Sequence, residues 1–118
     1  MTKTAEKLDV FTRSYIEAAL WSSCDDADTP LDESYSVDDI DPATLAAMIA
    51  DCQAFQAEHW DDIADDLTRA GHDFWLTRNH HGAGFWDGDW PDDGKRLTDA
   101  SHAYGSVDLY VHDGKVWA

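Results

Sequence analysis

Between residues 24 and 70 the chain carries fourteen Asp and Glu side chains and one base, Arg69, a local charge of −13 out of a total of −17. No other feature limits the fold as much. Ionised carboxylates are rarely buried without partners, so a helix or turn built from this stretch must show most of its circumference to water. It can offer the core only a narrow apolar stripe. The flanking segments are milder: residues 1–23 set three acids against three bases, and residues 71–118 set eight acids against four bases. Acidity serving only solubility or life in high salt would be spread over all three segments. Its polarisation favours an acidic face with a purpose, although the bias of 21 Asp to 4 Glu also fits the salt alternative.

The apolar supply is correspondingly thin. Leu, Ile, Val and Phe number 21 of 118 residues, and six Trp and four Tyr must make up the deficit. Large aromatic rings bury roughly 150–250 Å² each, which predicts a single domain over 1–118 with a small aromatic core. The longest apolar run, Leu45 to Ala50, is far short of the ~20 residues that cross a bilayer, and Met1 to Phe11 lacks the apolar stretch of a secretory signal. Cys24 and Cys52 form no C-x-x-C pair and read as reduced thiols. A soluble cytoplasmic protein is expected, with no membrane contact.

Spacing organises the rest. Leu8, Phe11, Tyr15, Ala18 and Ala19 recur at helical intervals, predicting a helix over Ala5 to Ser22. Cys24 to Ile40 reads as a connection tacked to the core by Leu31, Tyr35, Val37 and Ile40. Asp41-Pro42 is a helix start, and the row Leu45, Met48, Ile49, Cys52, Phe55, His59 or Trp60, Ile63, Leu67 runs to Ala70, as one helix or as two broken near Trp60, with Gly71 as the stop. His72 to Arg78 and Gly84 to Asp87, rich in aromatics, read as a first hairpin. Pro91 to Tyr104 reads as a helix, and Ser106 to Val111 with Lys115 to Trp117 as a second hairpin around His112-Asp-Gly. The predicted fold is α+β, helices packed on one face of a small, mostly antiparallel four-stranded sheet in the order ααββαββ. The acidic connection and helix occupy 24–70, and an aromatic-rich ββαββ unit occupies 71–118.

The stretch Gly71-His-Asp-Phe-Trp-Leu-Thr-Arg-Asn79, then His81-Gly-Ala-Gly-Phe-Trp-Asp87, with Arg96-Leu-Thr98, Tyr104-Gly105 and Val107-Asp-Leu-Tyr-Val111, resembles a family of small uncharacterised phage and prophage proteins. The likeness covers about residues 70–117, and His80 stands where the family pattern has Gly. It implies a phage-derived product working in a bacterial cytoplasm and carries no activity with it.

The charge suggests the chemistry. A strongly negative field repels phosphates, so direct binding to nucleic acid or an anionic membrane is disfavoured and a basic protein is the natural partner. Glu58, Asp61, Asp62, Asp65 and Asp66 recur at intervals that would stack them on one helix face, neighbours roughly 5–6 Å apart, close to the spacing of backbone phosphates. Asp25, Asp26, Asp28, Asp32, Glu33, Asp38, Asp39 and Asp41 supply a second row. The expected function is nucleic-acid mimicry: a phage inhibitor of the anti-CRISPR or anti-restriction type, occupying the basic groove of a host protein that handles DNA or RNA. Dimerisation could extend its acidic surface. No enzymatic activity and no cofactor are expected.

The alternative is a small phage enzyme or metal protein lined by His72, Asp73, His80, His81, His102 and His112, but these match no zinc signature. The acidic turn Asp87 to Gly94 lacks the order of a calcium loop. Arg78, Lys95, Arg96 and Lys115 are expected to pin the sheet side or balance local acids.

Overall fold

The structure is a computed structural model that describes residues 8–25, 27–81, 84–86, 90 and 93–118. Four helices, α1 (Val10–Ser22), α2 (Pro42–Ile63), α3 (Leu67–Arg78) and α4 (Gly94–Ala103), precede one antiparallel pair, β1 (Tyr110–His112) and β2 (Lys115–Trp117). The molecule is therefore mostly helical, with a two-stranded sheet in place of the expected four-stranded one.

The correction centres on His72 to Arg78, which is helix and not strand. Periodicity reveals a helix only when one face stays polar. In α3 the whole run Asp73, Phe74, Trp75, Leu76, Thr77 and Arg78 is buried, so the aromatic block hides the helical repeat. Gly71 is inside α3 and is no stop. A Cβ there would lie 2.1 Å from the Phe11 carbonyl oxygen, so glycine is what lets α1 and α3 cross at backbone distance. Gly84 to Trp86 forms a turn that folds back on α3, the Phe85 N–H donating to Thr77 Oγ1 at 3.0 Å, and Asp87 lies outside the described residues.

Where capping chemistry was explicit, the elements sit close to their expected places. The helix expected from Ala5 starts at Val10, because Asp9 caps α1 by accepting from the Thr12 N–H at 2.8 Å; Leu8 and Asp9 precede the helix, and residues 5–7 lie outside the described residues. Asp41 caps α2 by accepting from the Thr44 N–H at 3.0 Å, with Pro42 in the first turn. Leu31, Val37 and Ile40 are buried and tack the connection to the core. The final hairpin turns through Asp113 (φ 52°) and Gly114 (φ 74°), the paired positive values of a type I′ turn. Its Val116 is buried and accepts from the Asp41 N–H at 2.8 Å, which ties the C-terminal strand to the start of α2.

The acidic helix does break. Its φ/ψ leave the helical range at His59, and residues Ala64–Asp66 form a 3₁₀ turn before α3. The break puts Asp65 and Asp66 at the start of α3, where the helix dipole favours a carboxylate, and leaves Asp61 and Asp62 in the last turn of α2, where it does not. One continuous helix would leave Asp61, Asp62, Asp65 and Asp66 mid-helix, whereas the break lets Asp66 cap α3 by accepting from the Arg69 N–H at 3.1 Å.

The core is aromatic and is carried by the four Phe with Tyr15 and Trp75. Phe55 stacks on Phe74 at 4.2 Å and lies 5.9 Å from Phe11 and 5.8 Å from Phe85, while Tyr15 meets Trp75 edge-on at 5.4 Å. Trp21, Trp60 and Trp86 are each at least half exposed, so they supply surface and not core.

Candidate partner-binding surface

The carboxylates predicted to bind a partner divide into those the fold uses and those it leaves in water. Asp25 closes a turn, accepting from the Ala27 and Thr29 N–H groups at 2.9 and 3.1 Å. Asp39 closes another on the Ser36 N–H at 2.8 Å, and Asp66 is held by its cap and by Arg69. Asp62 is gripped by Arg96, whose Nη2 approaches to 2.6 Å and Nε to 3.2 Å, and Asp93 accepts from the same guanidinium. These contacts hold Arg96 above its ordinary pKa, the Asp62 hydrogen bond contributing most. Short Asp side chains reach backbone N–H groups two to four residues away, as Glu does less well. Asp9, Asp25, Asp39, Asp41 and Asp66 all act this way, so part of the Asp bias has a local structural cause.

The second group is Asp28, Asp32, Glu33, Asp38, Glu58, Asp61 and Asp65, all exposed. Glu58 keeps 64% of its side chain in water, its oxygen 3.7 Å from His59. Asp26 lies outside the described residues. Because of the break at 59 and 64–66, Glu58, Asp61, Asp62, Asp65 and Asp66 do not share one continuous helix face.

Two adjoining hollows bring Asp32 of the acidic connection and Asp66 onto the same side of α1. One, of about 440 Å³, is lined by Ala18, Leu20 and Trp21 with Glu17, Asp32 and His72. The next, of about 340 Å³, shares Ser14, Glu17 and His72 and ends at Asp66, Thr68 and Arg69. Trp21 and His72 lie ring to ring at 5.9 Å. Sequence reasoning missed Glu17 and Trp21, which sit in a segment of zero net charge. Their spacing of four residues, which places both on one helix face, was the available signal.

Arg78 does not border a sheet. It is 2% exposed and clamps four parts of the chain: Nε donates to the Gly105 carbonyl at 2.8 Å, Nη2 to the Tyr104 carbonyl at 3.0 Å, and Nη1 to Tyr15 Oη at 3.0 Å and to Asp51 at 2.9 Å. Burial drives the Tyr15 phenol well above its ordinary pKa despite the guanidinium beside it, and burial also raises the Cys52 thiol. Tyr104 is raised too, first by burial and then by the Glu58 and Asp51 charges. For Asp9, burial acts upward but is outweighed by hydrogen bonds from Thr12 and Gln56, which hold the carboxyl low.

The histidines separate. His80 and His102 stack at 4.3 Å, whereas His81 lines a different hollow with Cys24, Asn79 and Asp108. His72 lies against Trp21 and His112 near Trp117. Among the described residues no three His, Cys, Asp or Glu side chains are placed to hold a metal ion, and most of the turn from Asp87 to Gly94 lies outside them. No described helix is long and apolar enough to cross a membrane. No protein-family model matches this chain, and neither a curated protein nor a solved structure does.

Proposed function

We propose that this chain acts by binding, as a phage-encoded acidic inhibitor that imitates nucleic acid and occupies the basic groove of a host protein handling DNA or RNA, in the bacterial cytoplasm. The observation that carries the reading is the set of exposed carboxylates Asp28, Asp32, Glu33, Asp38, Glu58, Asp61 and Asp65 in a segment whose single base, Arg69, is already paired with Asp66. The fold uses several other acids of the same segment as caps and ion pairs and leaves these in water. Two such charges ~6 Å apart in water repel by about 0.7 kcal/mol. A group of them opposes a stability of roughly 5–15 kcal/mol. A basic groove that normally neutralises phosphates would relieve that repulsion and release its own counterions, as it does on binding DNA.

The test is capture from bacterial lysate on the immobilised chain. The expected catch is a nucleic-acid-binding protein that duplex DNA displaces and rising salt releases. The variant Glu58→Lys/Asp61→Lys/Asp65→Lys should lose it while keeping its helical circular dichroism. These positions are chosen over Asp62 because Asp62 is committed to Arg96. Capture indifferent to DNA and to the charge reversal would refute the proposal.

A further inference from the structure

We propose that the hollow beside Trp21 is a docking cleft for an arginine side chain on a basic segment of the partner. The inference rests on the binding function proposed above and gives it a specific point of contact.

Trp21 is 57% exposed at the end of α1, the most exposed of the large apolar side chains in the described structure. An indole held in water is costly unless something covers it, and contact sites are enriched in such aromatics. Here the indole is one wall of a concave surface of about 440 Å³, whose remaining apolar lining comes from Ala18 and Leu20. Two carboxylates border the same hollow, Glu17 one turn before Trp21 on α1 and Asp32 from the turn after the connection's first bend, both exposed. Among the described residues no Lys or Arg lines it; Arg69 borders the adjoining hollow and is held by Asp66.

A flat aromatic wall in a hollow that two anions also border is complementary to a guanidinium. Its plane stacks on the indole face, its N–H groups reach carboxylates at the edges, and its weak hydration makes the desolvation tolerable. A lysine ammonium matches the charge but not the plane. The occupant is therefore an arginine, of the kind that lines grooves built to hold phosphates. His72 lines the same hollow from α3, its Nδ1 3.7 Å from Asp73.

The experiment uses the purified chain and an acetylated tetra-arginine amide, with tetra-lysine and tetra-citrulline counterparts. Binding is read by calorimetry and by the Trp21 indole N–H resonance, identified by its loss in Trp21→Ala. The arginine peptide should shift that resonance and bind more tightly than the lysine peptide, and the citrulline peptide should not bind. Trp21→Ala, and the pair Glu17→Gln/Asp32→Asn, should each weaken binding about tenfold. The pair Asp61→Asn/Asp65→Asn removes the same net charge elsewhere and should change it little. Equal weakening by both pairs with no Trp21 shift would reduce the effect to diffuse attraction and overturn the cleft, as would absence of binding. A Trp21 resonance that moves with protein concentration in the absence of peptide would assign the cleft to a second copy of the chain and overturn it equally. Peptide binding needs no host protein: a working cleft with no lysate capture would defeat only the mimicry, and capture surviving in Trp21→Ala would defeat only the cleft.

Discussion

Replacing Arg78 by Met should cost about 3–5 kcal/mol, because it keeps the aliphatic bulk and removes every donor from a closed site. The magnitude follows from what is left behind. Hydrogen bonds to a charged donor contribute roughly 1.5–3 kcal/mol each, with strong non-additivity. Three of the four acceptors, the Tyr104 and Gly105 carbonyls and Tyr15 Oη, belong to the backbone around the end of α4 and to a fully buried phenol. The fourth, Asp51, has 37% of its side chain in water and rehydrates when freed, so the ion pair itself accounts for little of the total. Relief of the guanidinium's desolvation offsets part of the loss, which keeps the sum below that of four separate bonds. Arg78→Lys retains the charge but cannot serve acceptors spread around a plane, and should recover less than half. The assay is urea unfolding at pH 7 of the parent, Arg78→Met, Arg78→Lys and Asp51→Asn. A loss under about 1 kcal/mol for Arg78→Met would refute the clamp. So would Asp51→Asn costing as much, since that would assign the energy to the ion pair.

Two further perturbations test the packing and the buried thiol. Gly71→Ala improves helix propensity by up to ~1 kcal/mol, yet its Cβ would meet the Phe11 backbone at 2.1 Å, so it should destabilise by about 3 kcal/mol as α1 and α3 are forced apart; a gain in urea midpoint would contradict the backbone crossing. Cys24 is exposed and Cys52 is fully buried with a raised pKa, so iodoacetamide at pH 8 should modify Cys24 rapidly and Cys52 only on unfolding. Because the folded pKa values of Cys52 and Tyr15 lie above the ordinary values of 9.0 and 10.0, the unfolded chain loses these protons first: the associated stability is complete below about pH 9 and lost as pH rises above it. Thermal melts flat from pH 8 to 11 would contradict that burial.

What could be read from the residues was whatever has a local cause. The Asp41-Pro42 start, the Asp113-Gly114 turn and the anchors Leu31, Val37 and Ile40 depend on a few neighbours each, and all appear in the fold. The strand expected over 72–78 failed because α3 has little polar face to betray its period. Its two charged members near the core, Asp73 and Arg78, are buried on partners from other elements, Trp90 and Asp51 among them. Gly71 looked like punctuation, although its function is a contact with Phe11, sixty residues earlier in the chain. The number of carboxylates was plain, but not their division. Whether an Asp caps a helix, meets Arg96 or stays in water depends on where the helix breaks, and apolar spacing alone left that open. The hollow beside Trp21 was invisible for a related reason, since its walls come from α1, the connection and α3.

The central claim is that the exposed carboxylates present themselves as a phosphate surrogate. It is tested most directly by measuring the affinity of the captured host protein for this chain across a salt series, with and without duplex DNA, in parallel with Glu58→Lys/Asp61→Lys/Asp65→Lys. The account predicts a log–log salt dependence as steep as that protein's own DNA binding, mutually exclusive occupancy with DNA, and loss of binding in the triple variant. Affinity that is flat in salt, simultaneous binding of DNA, or a triple variant that binds like the parent would contradict it.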